Sequence, residues 1–276
     1  MIADGRIQAM AESLTRVPGV RAVALGGSRA KGTHHAGSDV DLGLYYDRTS
    51  LDMEELRRVA GLFADDGPVD VAGPGSWGPW VDGGGWLTVD GTAVDWILRD
   101  LSRVAEQCRR AEAGAFAFHP QPGHPLGFLD VSYAGELATC VPLADPDRVL
   151  DPLREALTPY PPALRAAMID NLWQAGFFVE AARKGIPKLD VGHVALCCST
   201  ALLLCAHAWH ASAGSWVTNE KGAIVDVQLL PIDSHEFAPR AAGALTRLST
   251  DTEQLEGMVD SVNQLAADTR TALQNG

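Results

Sequence analysis

The chain has 276 residues, long enough for one large or two ordinary domains, and its 46% of hydrophobic residues is typical of a globular protein. The net charge of −13 and the lack of a basic stripe argue against a protein that binds the phosphates of a nucleic acid. The five cysteines show no Cys-x-x-Cys spacing, which excludes a disulfide framework and disfavours a zinc site.

The N-terminal part of the sequence alternates helix and strand patterns. Apolar residues at helical spacing predict a helix over 3–17, and the apolar run that follows predicts a buried strand over 20–26. A second strand is predicted at about 38–46. Another amphipathic pattern predicts a helix over 50–63, with Ser50 at its start.

A β-hairpin is predicted next. The segments 86–89 and 93–98 have strand character, and the Asp90-Gly91 pair between them is a favoured two-residue turn. This hairpin places Asp95 on a strand beside the rest of the sheet. A helix at about 100–113 follows, with Asp100 as its N-cap.

The character of the sequence changes between Asp145-Pro146 and Pro161-Pro162. Residues before this change mix helices and strands, whereas the residues after it are mainly helical. We therefore predict an α/β (α+β) domain with a mixed sheet over 1–148 and an α-helical domain over 149–276. The long helices of the second domain are predicted at about 163–184, 189–211 and 237–273.

The apolar run at 194–209 is not predicted to span a membrane. It is shorter than the about 20 residues that a bilayer requires, and it carries His207. The N-terminus lacks the apolar stretch of a signal peptide. We therefore expect a cytoplasmic protein with no membrane partner.

The most informative stretch joins the first two predicted strands. Gly27 and Ser28 form a turn whose backbone N–H groups can cradle phosphate oxygens. Asp39 and Asp41 stand two residues apart on the second strand, so their side chains point the same way. Two close carboxylates repel each other unless a cation lies between them, and hard oxygen ligands suit Mg²⁺. The stretch therefore predicts a metal–phosphate site.

This pattern resembles the nucleotidyltransferase superfamily with the DNA polymerase beta-like core, whose signature is a Gly-Ser, a short spacer and an Asp-x-Asp. The family's third carboxylate comes from a neighbouring strand, and its best match here is Asp95 in the apolar segment 94–98. A carboxylate in such a segment is costly to bury without a partner. The predicted α/β domain followed by a helical domain is similar to the layout of the antibiotic-modifying members.

The resemblance implies a metal centre made of carboxylates. Asp39, Asp41 and Asp95 would hold Mg²⁺, with two ions in the two-metal arrangement. Asp95 would also accept the proton of the acceptor hydroxyl. Glu136 is an alternative general base, although a surface glutamate is the commoner explanation for its position in a helix-like segment.

The resemblance also implies a site for a nucleoside triphosphate, taken to be ATP. Gly27 and Ser28 would bind its β- and γ-phosphates, and Arg29 is a cation in the same loop that could reach a phosphate. Lys221, from the helical domain, would reach the triphosphate in the way that a lysine does in related small-molecule enzymes. Arg29 and Lys221 could equally be solvated loop cations.

Four tryptophans lie close together in the sequence and could include a stacking surface. Trp77 and Trp80, in a Gly- and Pro-rich loop, are the better candidates for the wall of a binding site. Trp86 and Trp96 are expected to take part in core and hairpin packing.

The leading hypothesis is a Mg²⁺-dependent nucleotidyltransferase that moves a nucleoside monophosphate, AMP from ATP, onto a hydroxyl of a small molecule. Aminoglycoside- or lincosamide-type antibiotics are the acceptors that the resemblance suggests. Two alternatives stay open: a nucleotidyltransferase toxin of a toxin–antitoxin pair that modifies tRNA or protein, and a catalytically inactive nucleotide-binding protein. The excess of acidic over basic residues counts against tRNA and other nucleic acids as partners. A homodimer is compatible with the sequence, which does not require one.

Overall fold

A computed structural model describes residues 2–35, 37–65, 67 and 69–274. The described chain forms two compact units. The first consists of Met1–Arg110, Ala117–Gly123 and Gly127–Thr158, and the second consists of Ala111–Phe116, His124–Leu126 and Pro159–Gly276. The predicted domain boundary after residue 148 lies within the last segment of the first unit.

The first unit is built on a mixed β-sheet, as the sequence predicts. The strands are β1 (Val20–Leu25), β2 (Val40–Tyr46), β3 (Val71–Ala72), β4 (Gly84–Val89), β5 (Thr92–Asp100), β6 (Phe118–Gln121), β7 (His124–Leu129) and β8 (Val141–Ala144). Within the described residues, six of them form one sheet in the order β3-β4-β5-β2-β1-β8, while β6 and β7 pair with each other. In the larger sheet β2 and β5 run parallel and the other neighbours are antiparallel.

The helices of the first unit are α1 (Asp4–Leu14), α2 (Gly27–Ala30), α3 (Met53–Phe63), α4 (Leu101–Glu112, whose last two residues belong to the second unit), α5 (Ser132–Thr139) and α6 (Asp151–Glu155). The apolar sides of α1 and α3 belong to the same buried cluster as one face of the sheet. Trp96 of β5 is fully buried in this cluster, and its indole N–H donates to the sulfur of Met10.

Alternation along β2 gives the sheet two different faces. Val40, Leu42 and Leu44 are fully buried in the core cluster, whereas Asp41 and Gly43 between them are only half-buried. Because side chains alternate along a strand, the second set lies on the opposite face of the sheet. The polar residues of the candidate site are therefore positioned by the same strand that builds the core.

Side-chain caps decide where the helices of the first unit begin. The prediction that Ser50 starts the second helix is wrong: α3 begins at Met53, and the Asp52 carboxylate accepts hydrogen bonds from the N–H groups of Glu54 and Glu55. The predicted cap of the next helix is confirmed, because Asp100 accepts from the backbone N–H and the hydroxyl of Ser102.

The predicted hairpin is confirmed as β4 and β5. Asp90 and Gly91 connect the two strands, both with positive φ, 50° and 70°. Two consecutive residues of this kind are typical of a type I′ turn, whose twist matches that of the flanking strands. The turn fixes the register of the hairpin and places Trp86 directly opposite Asp95.

The second unit is helical, with α7 (Pro162–Asp170), α8 (Trp173–Arg183), α9 (Val191–Ser212), α10 (Phe237–Leu245) and α11 (Thr252–Gln274). Two of the three predicted helices are divided in the structure. The first is interrupted at Asn171, whose side-chain oxygen accepts from Gln174. The other is interrupted before Asp251, which caps the start of α11 by accepting from the N–H of Gln254.

Among the described residues, α9 is the helix whose length and composition would suit a membrane span. The helix has 22 residues and extends beyond the apolar run at 194–209 at both ends, so it reaches the length of a membrane span. More than half of its apolar window is buried inside the protein, where α7, α8 and α11 pack against it. His207 on this helix is buried, and burial together with nearby His210 lowers its pKa to about 4. The helix therefore carries an uncharged histidine at neutral pH.

The cap of α3 leads to a stability prediction. Asp52→Ala removes the acceptor for two N–H groups, so we expect the free energy of unfolding to fall by about 1 kcal/mol. Ser50→Ala, two residues earlier, should change it by less than about 0.5 kcal/mol, because no hydrogen bond of α3 involves Ser50 among the described contacts. Urea denaturation of both variants measures the difference. An equal loss in the two would show that Ser50 contributes to the helix start.

Candidate active site

The register of two parallel strands brings two aspartates side by side. Asp41 of β2 lies directly opposite Asp95 of β5, and all seven residues of β2 keep the same register with β5. Both side chains lie on the face of the sheet that is not covered by α1 and α3, and both are half-buried. Strand pairing alone therefore creates a carboxylate pair from two segments that are far apart in the sequence.

Asp39 joins this pair from the residue that precedes β2. It has the same strand parity as Asp41, and its side chain is exposed. The approach to the strand is held by Arg29, whose guanidinium donates to the carbonyl oxygens of Asp39 (2.9 Å) and Ser38 (3.1 Å). Arg29 thus stabilises the backbone on which Asp39 stands.

The three carboxylates lie close enough to bind a common cation. One oxygen each from Asp39, Asp41 and Asp95 lies within 4.8 Å of the others. Burial, and then the negative charge of Asp39, raise the pKa of Asp95. This rise shows that the charged form of Asp95 is unfavourable in its surroundings unless a positive charge is added. Three hard oxygen donors with this mutual repulsion fit a divalent cation such as Mg²⁺.

The glycine of the predicted phosphate turn is required by its distance from Asp41. Gly27 begins α2 with a φ of +60°, and a Cβ at this position would overlap the Oδ2 atom of Asp41. The preceding Gly26 donates its N–H to the carbonyl oxygen of Asp41, 2.8 Å away. Ser28 follows at the start of the same short helix and is half-buried. The Gly-Ser turn therefore lies against the acidic cluster.

Lys221, the other cation assigned to the triphosphate, belongs to the second unit. It is exposed, in a turn where its backbone N–H donates to the side-chain oxygen of Asn219 (2.8 Å). The acidic cluster, the Gly-Ser turn and Arg29 all belong to the first unit. The role of Lys221 at the triphosphate stays a prediction.

Glu136 is neither a free base nor a simple surface glutamate. Both of its carboxylate oxygens accept from the guanidinium of buried Arg99, at 2.5 and 2.8 Å. Burial alone would disfavour the charge of Arg99, but the Glu136 carboxylate outweighs it and raises the pKa of the guanidinium. The face of Tyr133 also lies 5.1 Å from this guanidinium. The pair therefore fastens α5 to β5 as a partly buried ion pair.

The tryptophans are distributed differently from the prediction. Trp86, expected in packing, is 65% exposed, while Trp96 is fully buried as expected. Trp77 stacks on Trp86 with ring centroids 4.4 Å apart. Trp80, expected in a binding wall, instead stacks on His119 at 3.9 Å. The exposure of Trp86 follows from the alternation of β4, since Leu87 and Val89 turn towards the core.

The N-terminal part of the chain matches a known protein family. Residues 7–70 match the family model described as nucleotidyltransferase domain. The matched segment includes the Gly-Ser turn, Asp39 and Asp41, but it ends before Asp95. The match supports nucleotidyltransferase superfamily membership for this segment of the chain.

A solved structure of a nucleotidyltransferase-like protein from Exiguobacterium sibiricum is also similar. The similarity covers 95% of this chain and 75% of that one, with 10% sequence identity and a TM-score of 0.43. No curated protein matches the chain. The matched domain supports nucleotidyl transfer as the general chemistry of the site.

The contact between Gly27 and Asp41 can be tested with a matched pair of variants. Gly27→Ala and Gly32→Ala both place a side chain at positive φ, which costs about 1 kcal/mol. Only at Gly27 does the new Cβ meet Asp41, whereas nothing lies within 4 Å at Gly32. We expect similar losses of stability, but weaker Mn²⁺ binding only in Gly27→Ala, because Asp41 must rotate away from its partners. Calorimetry measures the binding, and equal Mn²⁺ affinities would contradict the assignment.

The ion pair of Glu136 predicts that this residue has a structural role and is not the general base. Glu136→Gln leaves the buried charge of Arg99 without its counter-charge, so we expect the free energy of unfolding to fall by about 2 kcal/mol. The kcat for nucleotidyl transfer should stay within about threefold of the wild type, far from the loss that follows removal of a general base. Denaturation curves and kinetics on the same preparation measure both. A large fall in kcat at unchanged stability would identify Glu136 as the base.

Proposed function

We propose that the protein is a Mg²⁺-dependent nucleotidyltransferase that moves AMP from ATP onto a hydroxyl of a small molecule. The observation that carries this proposal is the convergence of Asp39, Asp41 and Asp95 beside the Gly-Ser turn. It also counts against a catalytically inactive nucleotide-binding protein, because Asp95 lies with the pair instead of pointing away from it.

The three aspartates share one task in this proposal, and Asp95 has a second one. They would hold two Mg²⁺ ions, which when bound neutralise the negative charge that spreads over the phosphoryl oxygens. Asp95 also takes the proton of the acceptor hydroxyl. Burial and the nearby charge of Asp39 raise the pKa of this carboxyl when no cation is bound.

The transfer itself exchanges one phosphorus–oxygen bond for another. The acceptor oxygen forms a bond to the α-phosphorus of ATP, and the bond from the α-phosphorus to the pyrophosphate oxygen breaks. The proton of the acceptor passes to Asp95, and pyrophosphate leaves. Gly27 and Ser28 would bind the β- and γ-phosphates through backbone N–H groups and the serine hydroxyl, and Arg29 and Lys221 would add positive charge.

A small acceptor suits the charge of the protein. The net charge of −13 repels nucleic acid, whereas it attracts a small cationic molecule such as an aminoglycoside or a lincosamide. We place the reaction in the cytoplasm with no membrane partner, and a homodimer is compatible with it. A toxin that modifies tRNA or protein is the competing proposal, and the experiment below distinguishes the two.

The proposal is tested by a transfer assay with α-³²P-labelled ATP, GTP, CTP or UTP and Mg²⁺. The acceptors are pooled aminoglycosides, lincosamides, tRNA and cell lysate. Asp39→Asn combined with Asp41→Asn removes two charges with almost no change in side-chain volume, and this double variant should abolish transfer. Asp95→Asn should lower kcat by about 10²-fold or more. In the same assay Lys221→Ala should raise the KM for the triphosphate.

Each result of the assay has a definite meaning. ATP-derived label on a small molecule that disappears in the double variant supports the proposal. Label on tRNA or protein would favour the toxin, and transfer by the double variant at the wild-type rate would overturn the active-site assignment. Circular dichroism of the variants checks that the fold is intact.

A further inference from the structure

Four neighbouring positions form a row across the open face of the sheet. The row begins at the Gly-Ser turn beside Asp41, continues through Asp41 and Asp95, and ends at Trp86. Trp86 and Asp95 are directly opposite in the antiparallel pair of β4 and β5. Side chains in such a pair share a face of the sheet, with Cβ atoms about 5 Å apart. Trp86 is therefore the next side chain after the carboxylates.

The order of this row matters because transfer to the α-phosphorus proceeds in line. The attacking oxygen and the departing pyrophosphate lie on opposite sides of that phosphorus. With the β- and γ-phosphates on Gly27 and Ser28, the pyrophosphate leaves towards the turn. The acceptor then approaches from the other end of the row, where Asp95 takes its proton and Trp86 lies beyond.

Trp86 presents an indole to solvent although a protein normally buries one. It is 65% exposed, and its one stacking partner among the described ring contacts is Trp77, at 4.4 Å and 15° between the planes. A stacked pair with an open side offers a flat apolar surface next to a group of carboxylates. Such a surface recognises a ring that has an apolar face and also carries positive charge, through stacking and cation–π attraction.

The loop that carries Trp77 is held in place by two polar anchors. Gln121 donates to the carbonyl oxygen of Trp77 (2.8 Å) and accepts from the N–H of Trp80 (3.1 Å). Asp82, nearly fully buried, accepts from the N–H of Gly75 (2.9 Å) and from the hydroxyl of Tyr46. These contacts hold the loop at Gly75, Trp77 and Trp80, so Trp77 supports Trp86 from a preorganised position.

We propose that Trp86, supported by Trp77, is the platform on which the acceptor ring stacks while its hydroxyl reaches Asp95. This inference rests on the proposed function and assigns a residue to the recognition of its acceptor, a hydroxylated ring that bears a protonated amine. Trp86 is thus a specificity-determining residue that contacts the acceptor and leaves the triphosphate untouched.

The experiment compares Trp86→Ala and Trp86→Phe with the wild type, using kanamycin as the acceptor probe and ATP as the donor. Trp86→Ala should raise the KM for kanamycin about tenfold, the scale of one aromatic contact, and change the KM for ATP less than about twofold. Trp86→Phe keeps a smaller ring and should lie between the two. Thr88→Ala is the matched control. Thr88 is exposed on the same face of β4 as Trp86, but it lies opposite Ala93 instead of Asp95.

The controls keep this inference separate from the proposed function. Wild-type transfer with an unchanged KM for kanamycin in Trp86→Ala would overturn the platform and leave the function standing. A raised KM for ATP instead would show that the indole stacks on the nucleobase, which also overturns it.

A second measurement does not depend on turnover. Calorimetry measures kanamycin binding in the presence of Mg²⁺ and the non-reactive analogue α,β-methylene-ATP. Binding that weakens about tenfold in Trp86→Ala supports the platform even if no label is transferred, a result that would contradict only the function. No binding of kanamycin to the wild type would overturn the proposed acceptor class. Thermal melting of each variant confirms that the hairpin is folded.

Discussion

The repulsion between three carboxylates is the constraint on which the active site depends. The parallel pairing of β2 and β5 forces Asp41 and Asp95 to lie side by side, and Asp39 adds a further negative charge. Nothing in strand geometry relieves this repulsion, since both strands are fixed by the apolar residues on their other face. One of the three side chains is exposed and two are half-buried, so water solvates the carboxylates. Their oxygens also lie close enough together to fit a common cation.

One face of the sheet contributes apolar residues to the core, and the other face carries the polar residues of the candidate site. Val40, Leu42 and Leu44 on one face of β2 belong to the same buried cluster as the apolar residues of α1 and α3. Because side chains alternate along the strand, burial of this face directs Asp41 to the other one. On the next strand, Asp95 and Arg99 share the chemical face, where Arg99 fastens α5 through Glu136. The helix and the carboxylates are therefore held by one framework, and a shift of β5 would disturb both.

Much of this arrangement could be predicted from the sequence because it depends on local patterns. The alternation of β2, the Asp90-Gly91 turn and the cap at Asp100 each need only a few neighbouring residues to be recognised. The mixed sheet and the helical second unit follow from the same patterns. Asp95 could be singled out because a lone carboxylate in an apolar strand requires a partner.

Other features could not be predicted because they depend on contacts between distant segments. Ser50 and Asp52 are both good caps by residue type, and only the path of the chain selects Asp52. The partner of Glu136 is a buried arginine on another strand, which no local pattern indicates. Trp86 is a partial exception, because the alternation of Leu87 and Val89 already turns it away from the core.

The hairpin has a consequence for how acceptor choice can diverge. Trp86 lies on one strand of the hairpin and Asp95 on the other, and the turn at Asp90 and Gly91 joins the two strands. The phosphate turn and the Asp39–Asp41 pair come from a separate, earlier stretch of chain. In the proposed function, one hairpin therefore carries both the acceptor platform and a carboxylate of the metal site. A change in the register of this hairpin would alter both at once, so substitutions at Trp86 itself are the simpler route to a new acceptor preference.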